Sequence, residues 1–386
     1  MQSSKFRFWS RINPRIKQIG LFILGAICLL VILYFALHIF MINQNRPQSR
    51  GPFLQSVTPE SIWVVWETTS LSTGQVEYGL TSELGQVVKE NGDVRHHEVQ
   101  LTGLKPYTYY YYRVDKGKVA KFRTAADPAD AGFRFVVYGD SRSGHKVHRA
   151  IVRQIVAIAP DFVIHTGDLV ESGRSVSEWN RFFKIAEPFL RIAPFYPTLG
   201  NHEDYNPNRD DNHYLDIFHL PGNELWYAFD YGNVRFISLR ADACPITKFF
   251  PDDEQLSWLE RQLEDNHSEW LIIFFHVGVF TSRSEEFLEL GMRERLVPLF
   301  EKYGVDAVFM GHHHSYERIL VNGITYIITA GGGASLYELN EPEPGSQVAV
   351  SAHHFITIEM KGNQLVGSAI DPHGETIDSF VLYSDN

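Results

Sequence analysis

Cysteine is scarce in this 386-residue chain, and residues 51–386 carry no net positive charge. Cys28 and Cys244 are the two cysteines, and Cys28 lies in an apolar stretch, so no disulfide framework exists. Residues 51–386 contain 28 basic and 46 acidic side chains. A body this acidic is poorly suited to the phosphate backbone of nucleic acid, and we expect no nucleic-acid partner. A small anionic substrate at a metal site is compatible with it.

The first 50 residues lack acidic side chains altogether and contain one long apolar run. Residues 19–42 form a run that, as a helix, covers roughly 36 Å, enough for the roughly 30 Å hydrocarbon core of a membrane. Basic residues concentrate before it, so the positive-inside rule places residues 1–18 in the cytoplasm and the rest of the chain outside. The pattern predicts a retained, single-pass transmembrane anchor in the lipid bilayer. A cleaved signal peptide and a buried soluble helix are the alternatives.

The rest of the chain divides by its hydrophobic pattern. Residues 43–52 are a polar linker, and residues 53–124 contain short strands with alternating apolar positions. The stretch LTGLKPYTYYYYRV is typical of a fibronectin type III-like β-sandwich. Residues 132–386 alternate strands with helices and end in a strand-like tail, which indicates α/β layering. We therefore predict an α/β domain preceded by a β-sandwich and a transmembrane helix.

Five predicted strands end in polar residues. They read VVYGDSR, IHTGDLV, PTLGNHE, IIFFH and VFMGHHH, and ligands in open α/β sheets gather at the carboxyl ends of strands. Glycine precedes the polar residue in four of them, which gives the backbone room for a tight turn. Two carboxylates, one amide oxygen and three imidazoles form a donor set that suits a pair of Fe, Mn or Zn ions. The candidate metal ligands are Asp140, Asp168, Asn201, His276, His312 and His314.

These motifs, in this order, resemble those of the calcineurin-like metallophosphoesterases, and most closely the purple acid phosphatase branch. The most specific match is GHHHSYER at residues 311–318, and a fibronectin-like domain ahead of the catalytic domain is also that branch's arrangement. The resemblance covers residues 51–386 and implies a four-layer α/β/β/α domain. It also implies two metal sites. Asp168 would bridge both ions, Asp140 and His314 would complete the first site, and Asn201, His276 and His312 would complete the second.

Two more residues are candidates for the chemistry. The resemblance implies that His202 contacts the phosphate and protonates the leaving group, with Glu203 orienting it. Arg142 stands where the wider superfamily often has a ligating histidine and the purple branch a glycine. Arginine cannot ligate a metal, so Arg142 either donates two hydrogen bonds to a phosphate or pairs with an acidic neighbour. Glu171 replaces the tyrosine of the branch's GDxxY motif, so we expect no tyrosinate–iron colour and leave open whether Glu171 ligates an ion.

The function that the resemblance implies is hydrolysis of small phosphate monoesters by attack of a metal-bound hydroxide. The chain is then an acid phosphatase-like, membrane-anchored and metal-dependent hydrolase whose catalytic domain faces away from the cytoplasm. One alternative is a phosphodiesterase or nucleotide hydrolase that uses the same two ions. Another alternative, from a different class, is an adhesion or scaffold protein in which the sandwich is the functional part and the metal domain is inert.

Overall fold

The computed structural model describes residues 14–44, 48–127, 132–203, 213–241, 252–283 and 287–384. The chain forms two compact units, residues 1–47 and residues 48–386. Most of the predicted cytoplasmic segment 1–18 and Cys244 lie outside the described residues.

The first unit contains helix α1, Pro14–Gln44. Its described side chains are exposed and mostly apolar, as Phe22 and Leu30 illustrate. Across the part of the chain that the structure describes, no helix is both long enough and apolar enough to cross a membrane. The transmembrane helix predicted at 19–42 is therefore not confirmed.

The second unit begins with a β-sandwich of two antiparallel sheets, one in the order β1-β2-β5 and the other in the order β4-β3-β6-β7. Its strands are β1 (Arg50–Gln55), β2 (Ser61–Ser72), β3 (Gln75–Gly79), β4 (Gln86–Lys89), β5 (Val94–Thr102), β6 (Tyr109–Val114) and β7 (Ala120–Arg123). Side chains alternate across each strand, so Tyr110 and Tyr112 are buried while Tyr109 is exposed. The tyrosine-rich stretch is thus part of the sandwich core.

The sandwich shares its core with the helices and strands that follow. The ring of Phe53 lies 5.0 Å from that of Phe183, and the Tyr112 hydroxyl donates to the carbonyl of Arg191 over 2.8 Å. Arg50 is buried, pairs with Glu67 at 2.8 Å and donates to the Asn180 side chain over 3.1 Å. The two parts of this unit therefore pack as one body.

The rest of the second unit is built on two large sheets. The first has the strand order β10-β9-β8-β18-β19-β20 and the second the order β11-β12-β13-β14-β16-β15-β17. The strands are β8 (Arg134–Tyr138), β9 (Phe162–His165), β10 (Phe195–Pro197), β11 (Tyr227–Tyr231), β12 (Val234–Ser238), β13 (Trp270–Val277), β14 (Ala307–Gly311), β15 (Tyr316–Val321), β16 (Ile324–Thr329), β17 (Ser346–Val350), β18 (Phe355–Lys361), β19 (Gln364–Ile370) and β20 (Thr376–Tyr383). The helices are α2 (His145–Ile158), α3 (Val176–Leu190), α4 (Tyr214–Ile217), α5 (Asp253–Glu264) and α6 (Phe287–Lys302).

Contacts between apolar side chains show the order of the helix and sheet layers. Phe135 of the first sheet packs edge-on against Phe236 of the second, with ring centroids 5.3 Å apart, so the two sheets face each other. Buried residues of α2 and α3 join this core. The opposite face of the second sheet, which includes Ile273, packs with Leu259 of α5 and Leu296 of α6. The order is therefore α/β/β/α, in agreement with the fold that the resemblance implies.

Candidate metal centre

Parallel pairing brings the predicted strand ends to one edge of the sheets. Strands β8, β9 and β10 are parallel neighbours, and Asp140, Asp168 and Asn201 follow them in turn. Strands β13 and β14 are also parallel, and they carry His276 and lead to His312. The structure thus brings together all six predicted ligands.

The glycines ahead of the ligands allow the strand ends to approach closely. A Cβ on Gly139 would lie 2.0 Å from Thr166 Oγ1, and one on Gly200 would lie 2.3 Å from both the backbone nitrogen and Oδ1 of Asp168. A Cβ on Gly311 would lie 2.8 Å from Asp140 Oδ2. Each glycine therefore leaves space for a neighbouring strand end, in addition to the turn freedom expected from the sequence.

Three predicted ligands have a left-handed backbone. The φ angles are 55° at Asp140, 57° at Asp168 and 69° at His312. This conformation costs a non-glycine residue about 1–2 kcal/mol, with aspartate among the residues that tolerate it best. Surrounding hydrogen bonds hold it, including Asp140 N–H to the Gly167 carbonyl and His312 N–H to Asp140 Oδ2.

Asp140, Asp168 and His314 form what we call the first site, with one donor atom of each within 4.8 Å of the others. The His314 Nδ1 lies 2.6 Å from the Ser335 carbonyl and donates to it, which leaves Nε2 as the ligating nitrogen. That Nε2 lies 3.3 Å from Asp140 Oδ1, an oxygen that is wholly buried and has no hydrogen-bond donor among the described residues. A buried carboxylate oxygen without a donor facing an imidazole nitrogen fits a bound cation.

Asn201, His276 and His312 form the second site. The amide oxygen of Asn201 lies 3.0 Å from His276 Nε2 and 3.0 Å from His312 Nδ1. The other nitrogen of His276 donates to the Thr166 carbonyl over 2.8 Å, so Nε2 is the nitrogen that faces the site. Asp168 Oδ1 lies 3.3 Å from the same Nε2. Asp168 therefore belongs to both sites, as a bridging ligand requires.

The charges at these sites are strongly coupled. Burial opposes ionisation of Asp168, but His276, His202 and Arg142 lower its pKa to about 2. Burial alone would lower the pKa of His276, yet the carboxylates of Asp168 and Asp140 raise it. Burial, with His276 nearby, holds the pKa of His312 well below its usual value. The carboxylate is thus ionised and His312 is neutral, which are the forms that bind metal.

His202 lies at the rim of the two sites. Its Nδ1 donates to the Glu171 carbonyl over 2.8 Å, and its Nε2 lies 3.9 Å from Asp168 Oδ2. The side chain is about one quarter exposed, at 26%. The nitrogen that faces the sites can therefore exchange protons with solvent or with a bound ligand.

Arg142 contacts the first site directly. Its Nε donates to Asp168 Oδ2 over 3.0 Å and its Nη1 donates to Glu171 Oε2 over 3.0 Å, while Nη2 lies 3.5 Å from His314 Nε2. Of the two roles expected from the sequence, this geometry is that of an arginine paired with acidic neighbours. Glu171 also accepts from the Ser143 hydroxyl.

Glu203 has a role that the sequence did not reveal. It is wholly buried and accepts from four backbone N–H groups, those of Asp168, Leu169, Val170 and Gly200. Burial and the nearby Asp168 carboxylate raise its pKa, whereas the N–H donors lower it. Glu203 therefore joins the turns that carry Asp168 and Asn201. The expectation that it orients His202 is not what these contacts show.

An aromatic stack covers the outer side of His314. The Tyr337 ring lies 4.1 Å from the His314 ring, and the guanidinium of Arg283 lies 4.0 Å above Tyr337. No motif in the sequence indicated either residue, because the contacts join segments that are far apart in the chain.

Two family matches agree with this architecture. Residues 133–316 match the family described as Calcineurin-like phosphoesterase, and residues 51–125 match the Purple acid Phosphatase, N-terminal domain. A purple acid phosphatase from yellow lupin seeds has the same fold, with a TM-score of 0.73 at 21% identity, over 88% of this chain and 75% of that chain. The chain therefore combines a calcineurin-like metallophosphoesterase domain with a purple acid phosphatase N-terminal domain, and the resemblance seen in the sequence is confirmed.

Curated relatives extend the match. An uncharacterized protein of Mycobacterium tuberculosis is 29% identical over 310 residues, 66% of this chain and 59% of that protein. The phosphoenolpyruvate phosphatase of Allium cepa is 26% identical over 332 residues, 80% of this chain and 65% of that protein. The chain thus spans roughly three fifths of the length of these relatives. Its homologues include purple acid phosphatases, which are phosphoester hydrolases with a dinuclear metal centre. The donor set at the two sites fits such a centre, and the identity of the metals is open.

Proposed function

We propose that this chain is a metal-dependent phosphoesterase that hydrolyses small phosphate monoesters. The observation that carries the proposal is the shared position of Asp168. Its Oδ1 lies 3.3 Å from His276 of the second site, and one of its oxygens lies within 4.8 Å of the donor atoms of Asp140 and His314. These residues would hold two metal ions, which would supply positive charge to the phosphoryl oxygens and make a water molecule more acidic.

His202 supplies the proton for the leaving group in this proposal. Because Nδ1 donates to the Glu171 carbonyl, the tautomer is fixed and Nε2 is the nitrogen that gives or takes a proton. Its partial exposure lets it recover that proton from solvent between turnovers. Arg142 Nε and Nη1 donate to Asp168 and Glu171, so a phosphate would meet the remaining N–H donors of the guanidinium.

Substitution of the shared aspartate tests the proposal. Asp168→Asn keeps the shape of the side chain but removes its charge, so it should lose both bound metal, measured by elemental analysis, and hydrolysis of an aryl phosphate. Asp265→Asn, at an exposed aspartate on the end of α5, is the matched control and should keep both. Full turnover by Asp168→Asn would refute the proposed centre.

The choice between monoesters and diesters is tested with paired substrates. We expect the wild-type chain to hydrolyse an aryl phosphate faster than the corresponding bis-aryl phosphate. The reverse preference would replace the monoesterase assignment with a phosphodiesterase that uses the same residues.

We also propose that α1 attaches the chain to a membrane, with the second unit outside the cytoplasm. The exposed apolar side chains of residues 22–35 and the basic residues of the preceding segment support this proposal. The expected result is that the full chain sediments with membranes, resists extraction by alkaline carbonate and is digested by protease added to intact cells. Release by carbonate or protection from the protease would overturn it.

A further inference from the structure

The guanidinium of Arg142 lies among the ligands of the first site. It donates to Asp168 Oδ2 over 3.0 Å and lies 3.5 Å from His314 Nε2, so it contacts two of the three residues that define that site. The Arg142 side chain is mostly buried, at 14% exposure, and Asp168 is almost wholly buried. Arginine stays protonated in proteins, so this cation is permanent.

The second site differs in this respect. In the described part of the chain, no arginine or lysine side chain contacts Asn201, His276 or His312. The donor atoms there already point at one another, with both histidine nitrogens 3.0 Å from the Asn201 oxygen. A cation entering the second site therefore meets oriented donors, including Asp168 Oδ1, whereas a cation entering the first site meets the guanidinium on Asp168 Oδ2 and beside His314 Nε2.

Glu171 gives that arginine an alternative partner. Its Oε2 accepts from Arg142 Nη1 over 3.0 Å, and its side chain is about half exposed, at 49%. Arg142 can thus move away from Asp168 and keep one carboxylate partner at the rim. Two positions at which the sequence departs from the purple acid phosphatase pattern, 142 and 171, are therefore in direct contact.

We propose that Arg142 is a resident counter-ion of the first site and makes the two sites unequal in their affinity for metal. The second site binds its ion first. The first site binds its ion only when the guanidinium leaves Asp168 Oδ2 and remains paired with Glu171, where its freed donors can face a phosphate. This inference rests on the metal centre of the proposed function, and it assigns Arg142 a positioning role.

Metal titration of the full chain in detergent tests the inference without reference to activity. The protein is stripped with a chelator and titrated with Mn²⁺, and binding is followed by calorimetry and by metal content after equilibrium dialysis. We expect one tight and one weak class of site in the wild type. Arg142→Ala and Arg142→Gln should raise the Mn²⁺ affinity of the weak class of site by about tenfold or more. They should change the affinity of the tight class by less than about twofold. Arg142→Lys, which keeps the charge, should leave the weak class weak.

Two further variants separate the contact from a general charge effect. Arg283→Gln removes a positive charge near His314 that, within the described residues, contacts Tyr337 and none of the six ligands, so it should leave the affinity of the weak class within about twofold of the wild type. Glu171→Gln removes the alternative partner and should weaken the first site further.

Two equal sites in the wild type, or a weak class unchanged in both Arg142→Ala and Arg142→Gln, would overturn the inference and leave the proposed function standing. Absence of any metal binding by the wild type would overturn both.

Discussion

Glu203 joins two of the strand ends that carry metal ligands, and its replacement by glutamine should damage stability and metal binding together. The carboxylate accepts from four buried N–H groups. A glutamine amide can serve as acceptor at one position only, so its NH₂ group would face two N–H donors. Each buried donor left without an acceptor costs about 1–3 kcal/mol, which gives about 2–6 kcal/mol in total. This is a large share of the roughly 5–15 kcal/mol stability of a typical domain.

The measurement is urea unfolding of the metal-free full chain at neutral pH, with the free energy of unfolding compared between Glu203→Gln and the wild type. Glu83→Gln, at an exposed glutamate of the sandwich, is the control and should change stability by less than about 0.5 kcal/mol. Because one pair of N–H donors loses its acceptor, either those of Asp168 and Gly200 or those of Leu169 and Val170, metal affinity should also fall in Glu203→Gln. A loss of stability below about 1 kcal/mol would refute the reasoning.

Two further predictions follow from the strand ends and from the buried histidines. Gly200→Ala places a Cβ 2.3 Å from Asp168 N and Oδ1, so it should cost about 1–3 kcal/mol and weaken metal binding, whereas Gly278→Ala, whose Cβ would meet nothing closer than 3.4 Å, should be nearly neutral in both assays. Burial lowers the pKa of His148 to about 3 and that of His354 to about 4, while an unfolded histidine titrates near 6.5. The unfolded chain therefore binds these protons first as pH falls, and about 2 kcal/mol per histidine should be lost between pH 6.5 and pH 5, measured by unfolding of the metal-free protein. Stability that is flat over this range would contradict the assignment of both as neutral buried histidines.

The strand ends could be predicted because their signal is local. An apolar strand followed by glycine and a polar residue identifies one strand end from a few neighbouring residues. Parallel strands bring such ends to the same edge of a sheet. The strand-like tail, which forms β18, β19 and β20, could also be recognised from its local hydrophobic pattern. Metal donors of mixed oxygen and nitrogen chemistry then indicated a metal centre.

The remaining features depend on contacts between distant segments, which no local pattern contains. Strand β18 pairs with β8 although they are more than 200 residues apart, and this pairing completes the first sheet. Arg50 of the sandwich meets Asn180 of α3 across 130 residues. Arg142 and Glu171 each stood out singly in the sequence, but their mutual contact did not. The layer order came from the resemblance and not from periodicity.

The positive φ angles at Asp140, Asp168 and His312 have a consequence for protein engineering. Glycine adopts that conformation without steric cost, so exchanging any of these residues for glycine relieves backbone strain while deleting a ligand. A screen of this chain for heat resistance alone, run without metal, should therefore accept glycine more readily than other replacements at these three positions. Selection for the proposed phosphoester hydrolysis should instead retain Asp140, Asp168 and His312.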